Sequence, residues 1–247
     1  MRDLRRVLDV DGLVNARDFG GLPLTCGGTT PRGVFFRSEN LDAITPNGWR
    51  QLGDAGIRTV VDLRQPGERE RDHRPRPEWL VITHVDLDGL ENRDFWAGYW
   101  DNGLVGTALY FLPHLAAMPE RTGTVLTALA EARDGGVLFH CMGGRDRTGM
   151  VSMVLLSIAG VEPEAIVDDY LETVRLGDVR AASANRNNDE ARIEELLAGH
   201  GTTTEQAFRD ALTGLDLTTL LSAGGVRDRS QQVLRTWRGR LPSRRSP

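Results

Sequence analysis

Apolar runs of strand length alternate along the chain with segments of helical periodicity, the pattern of an α/β domain. Gly33 to Arg37 and the β-branched run Arg58 to Leu63 (RTVVDL) predict strands, as do Leu80 to Leu87 (LVITHVDL) and the short Val137 to Phe139. Between them, Ile44 to Ala55, Leu109 to Ala117 and Thr124 to Arg133 have helical character, and Asp134-Gly135-Gly136 ends the last of these. Gln65-Pro66-Gly67 reads as a breaker after the second strand. Asp88 to about Gly106 lacks either period and reads as a long irregular stretch into which Phe95, Trp96, Tyr99 and Trp100 are crowded.

Thr148 to Ala159 is apolar on most faces, as a helix buried at the centre of a domain would be. Gly160 stops it, and Pro163 suits the first turn of a further helix to about Val174. Asp189 to Gly239 reads as helices joined by polar connections such as Gly199 to Thr204. The expected fold is α/β, a central, mostly parallel sheet flanked by helices, with a helical C-terminal third. Residues 1–247 read as a single domain with a helical extension over 176–241 and a frayed tail over 242–247, since neither a repeat nor a convincing linker divides the chain.

Hydrophobic residues make up 40% and charged residues 26%, as in ordinary globular proteins. A net charge of −5 argues against a protein built to coat nucleic acid. All 30 basic residues are arginine, so any cation that grips an anion here is a guanidinium. Two cysteines, Cys26 and Cys141, imply no disulfide framework and fit a reducing compartment. Without a signal-like N-terminus or an apolar run of membrane-spanning length, a cytoplasmic protein with no stable membrane insertion is expected. No His, Cys and carboxylate spacing suggests a metal site, and no cofactor is expected.

One segment concentrates chemistry: His140-Cys141-Met142-Gly143-Gly144-Arg145-Asp146-Arg147-Thr148-Gly149. A strand leads into it and a helix leaves it. Glycines 143 and 144 allow backbone amides to turn inward ahead of a helix N-terminus, a nest suited to a tetrahedral anion. Met142, Gly143, Gly144, Arg145, Asp146 and Arg147 are therefore expected to bind phosphate, with the planar fork of Arg147 closing the ring. Cys141 lies at the bottom, where amides, helix end and Arg147 all favour a thiolate aligned for in-line attack on phosphorus. Thr148 is placed to donate its hydroxyl to the sulfur. For His140, orienting the loop through hydrogen bonds and a direct electrostatic role are both open.

The stretch HCMGGRDRTG is similar to the HCxxGxxR[S/T]G phosphate loop of the protein tyrosine phosphatase superfamily. More narrowly it resembles the bacterial branch whose loop reads HCxxGKDRTG, which has tyrosine, dual-specificity and phosphoinositide phosphatases among its relatives. Asn15-Ala16-Arg17-Asp18-Phe19-Gly20-Gly21, Phe36-Arg37-Ser38 and Val60-Val61-Asp62-Leu63-Arg64 agree with it. The resemblance runs from about residue 13 to about 175 and weakens beyond; it departs at Arg145, where that branch usually has Lys. It implies a cysteine-phosphatase-like fold and hydrolysis of phosphate monoesters through a cysteinyl-phosphate, with inorganic phosphate as product. Protein phosphotyrosine is the default substrate that it implies. A small-molecule phosphate ester is the alternative, and phosphoinositides rank third. A rhodanese-like sulfurtransferase, disfavoured by the Arg147-Thr148-Gly149 ending, and a phosphate-binding module without turnover are the competing classes.

A leaving oxygen needs a proton. The resemblance makes Asp146 the first candidate acid, with orientation of Arg145 or Arg147 as its equal alternative. Asp88, where the superfamily carries its acid loop, is second, ahead of Asp86 and Asp101. Arg64, at the end of a central strand, is either a substrate contact or the partner of Asp62 or Glu68. Arg69, Arg71, Arg74 and Arg76 read as a solvated loop. The aromatic tract is either a substrate wall or packing against the C-terminal helices. Cys26 reads as incidental, with a protective disulfide to Cys141 as its alternative.

Overall fold

A computed structural model describes residues 6–70, 72 and 75–239. Five strands form one sheet in the order β1-β2-β5-β3-β4: β1 (Arg17–Asp18), β2 (Phe35–Ser38), β3 (Ile57–Asp62), β4 (Val81–His84) and β5 (Gly136–His140). All neighbours run parallel except the short edge pair β1 and β2. The expected α/β class, mostly parallel sheet and helical C-terminal third are therefore observed. The brief β1 lacks the length to announce itself in the sequence. β4 is shorter than its apolar run, and because it is an edge strand its residues are half-buried or exposed rather than core.

The pleat divides the side chains between two layers. Phe36, Val60 and Leu138 face a small cluster completed by α1 (Pro46–Asp54). Phe35, Val61 and Phe139 face the larger core. Central to that core is α6 (Asp146–Ile158), whose residues from Thr148 to Leu156 are all buried. Around it lie a 3-10 turn at Ala108–Tyr110, then α4 (Phe111–Ala117), α5 (Pro119–Glu131) and α7 (Pro163–Arg175). Two short helices fall where none was expected: α2 (Pro66–Arg69), in which Pro66 starts a helical turn instead of breaking structure, and α3 (Arg93–Ala97) inside the aromatic tract.

The C-terminal third continues with α8 (Gly177–Ser183), α9 (Glu190–Gly199), α10 (Thr204–Thr213), α11 (Leu217–Ala223) and α12 (Asp228–Arg235). Helices α9 to α12 fill the same core: Leu197, Phe208, Leu221 and Leu234 are buried in it. Trp237 closes it by meeting Phe35 edge-on at 4.9 Å between ring centroids and donating its indole N–H to the Pro31 carbonyl. The expected frayed tail, 242–247, lies outside the described residues.

Strand register places the chemistry. His140 pairs with Ser38 on one side and Asp62 on the other, so Cys141 leaves the sheet at the carboxyl end of its central strand. Packing of α5 against the C-terminal helices relies on Gly123, since a β-carbon there would stand 1.9 Å from the Gly224 carbonyl oxygen. Gly123→Ala should lower the unfolding free energy in urea by about 1–3 kcal/mol, with no change in the denaturant slope.

Candidate active site

The loop from Cys141 to Arg147 holds its shape because its carbonyls are satisfied from outside. Asn40 donates its backbone N–H and its side-chain amide to the Met142 carbonyl, both at 2.9 Å. Gly143 O accepts from Arg180 Nε at 3.2 Å and Asn15 Nδ2 at 3.4 Å. Gly144 O accepts from Arg37 Nη2 at 2.5 Å. In a planar trans peptide the N–H points opposite to the carbonyl. Carbonyls of 142, 143 and 144 drawn outward therefore turn the amides of 143, 144 and 145 inward, toward the mouth of α6. Gly144 supplies the left-handed residue (φ 65°) such a nest needs, and a side chain there would strike Ser38 O at 2.5 Å.

Arg37 is in turn held by a buried ion cluster. Asp169 of α7 accepts from Arg37 Nη1 at 2.7 Å and Arg17 Nε at 2.9 Å, and pairs with Arg6. Arg17 also reaches Asn15 Oδ1 at 2.6 Å and Thr173 Oγ1 at 2.8 Å. Burial opposes the charge on Asp169, but the surrounding arginines outweigh it and hold the carboxyl far below its ordinary value. Removing one member would leave an uncompensated charge in the interior.

Cys141 is 3% exposed, and Thr148 Oγ1 stands 3.2 Å from its sulfur as a donor. The backbone carbonyl of Cys141 lies 3.0 Å from His140 Nδ1. A carbonyl only accepts, so Nδ1 carries the proton. Burial pushes the His140 imidazole down to about 4 and keeps it neutral, with Nε2 3.9 Å from Asp62. Of the two roles open for His140, the geometry supports orientation of the loop.

Arg147, in the first turn of α6, meets two carboxylates. Its Nη1 meets Glu68 Oε2 at 2.5 Å and Asp88 Oδ2 at 3.0 Å, and its Nη2 meets Glu68 Oε1 at 2.8 Å. Glu68 itself is fixed by accepting the Gln65 N–H at the start of α2. The sequence offered Glu68 only as a partner for Arg64. Its bidentate hold on Arg147 was not foreseen; the one available signal was an acid in the first turn of a Pro-initiated helix beyond a central strand.

Asp88 is buried, and desolvation raises its carboxyl to about 6 even though Arg147 pulls it down. Trp96 donates its indole N–H to the Asp88 carbonyl at 3.0 Å, and Asp86 caps the turn by accepting the Asp88 N–H at 3.1 Å. Asp146 differs: it is partly exposed and accepts from Arg145 Nη1 at 2.8 Å, the orienting role weighed for it. Asp101 is exposed. The rings of the aromatic tract meet those of Tyr110 and His114 in the same core that the C-terminal helices fill, and Trp100 stands half exposed at 51%.

Two further expectations, for Arg145 and Arg76, are corrected by the geometry. The Arg145 guanidinium does not reach into the cradle: it is buried against Glu190 of α9, with two-point contact at 2.9 and 2.8 Å, and also bonds the Gly106 carbonyl. Arg64 makes one of the two ion pairs weighed for it, with Asp62 at 2.8 Å, and adds Asp42 at 3.0 Å and Asp72 at 3.3 Å, with no contact to Glu68 among the described residues. Arg76 is no solvated side chain either, since it pairs with Asp72 and covers the Trp49 ring; Arg71 and Arg74 lie outside the described residues. A Cys26–Cys141 disulfide is ruled out by position. Thr25 bonds Gly160 at the far end of α6, whose 13 residues span about 20 Å, and both thiols are free.

A strand, a tight loop and a helix thus hold a buried cysteine next to an arginine that is paired with two carboxylates. The family described as "Tyrosine phosphatase family" matches residues 8–235, and the chain belongs to it. That match extends well past residue 175, because the C-terminal helices share the core while contributing amphipathic patterns rather than motifs. A putative tyrosine-protein phosphatase of Cupriavidus necator is 29% identical over 178 residues, 68% of this chain and 63% of the relative. A tyrosine-protein phosphatase of Nostoc commune is 30% identical over 176 residues, 69% of this chain and 55% of the relative. The triple specificity protein phosphatase PtpB of Mycobacterium tuberculosis is 28% identical over 170 residues, 57% and 61%. The chain thus spans less than two thirds of the length of these relatives. Among solved structures, that of P. aeruginosa TpbA in complex with pTyr is similar at 15% identity and a TM-score of 0.42, over 91% of this chain and 99% of that one.

Asp169→Asn should lower the unfolding free energy by about 3–5 kcal/mol, because it strands Arg17 and Arg37 in the interior. The sign with pH follows from the depressed carboxyl: its stabilisation is complete above the ordinary value of 3.8 and is lost as pH falls below it. Urea titrations at several pH values should show wild type losing stability below about pH 4 more steeply than the variant.

Proposed function

We propose that the protein hydrolyses phosphate monoesters through a cysteinyl-phosphate on Cys141, with phosphotyrosine in proteins as its substrate class. The carrying observation is that Thr148 bonds the Cys141 sulfur while Arg147, which feels the charge of that sulfur, pairs with the buried Asp88. The relatives' names point to the same substrate class. Residues 8–235 act as one catalytic unit in a reducing compartment, the cytoplasm, where Cys141 stays a thiol.

In this reading the inward amides of 143–145 and Arg147 hold the three non-bridging oxygens, and Glu68 keeps the Arg147 fork flat to receive two of them. The thiolate attacks phosphorus in line, forming the S–P bond as the P–O bond to the leaving group breaks. The leaving oxygen takes its proton from Asp88. Phosphate bound to Arg147 offsets the cation that lowers the Asp88 pKa, so the acid stays protonated when it is needed. In the second step carboxylate Asp88 accepts a proton from water as that water attacks phosphorus. The S–P bond breaks with Thr148 donating to the departing sulfur, and inorganic phosphate leaves. Asp88 is preferred to Asp146 because burial has already moved it toward neutrality, whereas the Asp146 carboxylate is engaged with Arg145. His140, Met142, Gly143, Gly144 and the Arg145 backbone shape the cradle, and no cofactor or metal enters the scheme.

Cys141→Ser should still bind phosphate while turnover of p-nitrophenyl phosphate falls by roughly 10⁴-fold or more. Ordinary rates in that variant would sink the proposal.

The general acid has its own test. With wild type, kcat/KM should decline on the alkaline side of about pH 6, the value set by buried Asp88. Asp88→Asn should lose that limb and slow an alkyl phosphate far more than an aryl one. Asp146→Asn should keep the limb. An alkaline limb that persists in Asp88→Asn would remove Asp88 from the role.

A further inference from the structure

His114 of α4 is wholly buried, and neither of its ring nitrogens completes a hydrogen bond among the described residues. Aromatic rings surround it: Phe95 at 5.7 Å, Trp96 at 5.9 Å and Tyr110 at 6.2 Å between centroids. In such a setting a phenyl ring would pack as well and strand no polar atom. Packing alone therefore does not account for an imidazole.

The groups that face it belong to the Asp88 turn. The Asp88 and Leu87 carbonyls both act on the His114 ring, and burial keeps the imidazole neutral, so one nitrogen carries a proton to donate. The Asp88 carbonyl already accepts from Trp96 Nε1 at 3.0 Å. Leu87 is fully buried, and no N–H of the described residues donates to its carbonyl. An orphaned acceptor thus stands over an orphaned donor. The turn rests on the same support elsewhere: Arg121 Nη1 donates to the Asp86 carbonyl at 3.0 Å, and a β-carbon on Gly89 would meet Met118 Sδ at 2.9 Å.

The Asp88 carboxyl has one tether, Arg147 at 3.0 Å, and stands in the field of Glu68, Asp86 and Asp146. A phosphate that takes the Arg147 fork removes that tether, and the carboxyl is then aimed by its backbone alone. We propose that His114 is a positioning residue: with phosphate in the cradle its N–H closes onto the Leu87 carbonyl and holds the Asp88 carboxyl at the leaving oxygen. Bonds of this kind are often long in a free enzyme and tighten in the loaded one. The role rests on the reading of Asp88 as general acid, and His114 itself exchanges no proton with substrate.

The test is the kcat/KM of an alkyl phosphate beside that of an aryl phosphate, since only the alkyl leaving group depends strongly on the acid. His114→Phe keeps a ring and removes both nitrogens. It should lower the alkyl value by about tenfold and the aryl value by less than about twofold, with competitive inhibition by inorganic phosphate unchanged. His114→Gln or His114→Asn, which restore an N–H, should recover part of the alkyl rate. If His114→Phe does not fold, His114→Leu carries the same comparison. In an Asp88→Asn background the loss of the imidazole should change the ratio no further. Equal losses for both substrates, no loss for either, or the same loss in the Asp88→Asn background would overturn the role of His114 and leave the acid in place. If Asp88→Asn itself leaves the ratio unchanged, the general-acid reading fails, and the role of His114 falls with it.

Discussion

An amide-lined anion site must keep its N–H groups free while its carbonyls are satisfied, since a buried peptide group cannot leave either end unpaired at small cost. This chain meets that constraint by holding the outer side of the loop with Asn40, Asn15, Arg180 and Arg37. The Asp169 cluster follows from the same requirement. A guanidinium buried behind the loop to bond Gly144 needs a compensating carboxylate, and α7 brings one to meet the N-terminal segment. Helix, sheet and N-terminus thus join behind the loop, on the side to which its carbonyls turn.

Two acids divide the work on the open side. Glu68 holds Arg147 from two points, and Asp88 lies beside it in a setting dry enough to lift its carboxyl to about 6. The aromatic tract explains the dryness. Trp96 fastens the Asp88 carbonyl, and its ring packs with Phe95, Tyr110 and His114 beneath the turn. What the sequence shows as an odd cluster of rings is the floor of the turn that carries Asp88.

Much of this was legible in residues and spacing. Apolar runs, β-branched in Arg58 to Leu63, marked β2, β3 and β5 because these strands are buried on both faces, and the 140–149 spacing marked the loop between β5 and α6. Other parts were hidden for physical reasons. Glu68 and Arg147 are 79 positions apart and Arg17 and Asp169 are 152 apart, so no local period links them. Asp88 and Asp146 look alike as letters; only burial distinguishes them. Arg145 sits inside the motif but spends its guanidinium on Glu190, a residue from the third of the chain where motif resemblance had faded.

The length of α6 has a practical consequence. It keeps the two thiols at opposite ends of a rigid rod, one buried under the cradle and the other exposed in the turn at Cys26. A maleimide dye should therefore attach at Cys26 without blocking the nucleophile. The chain carries a native labelling handle from which events at the cradle can be followed by energy transfer, with no cysteine added or removed.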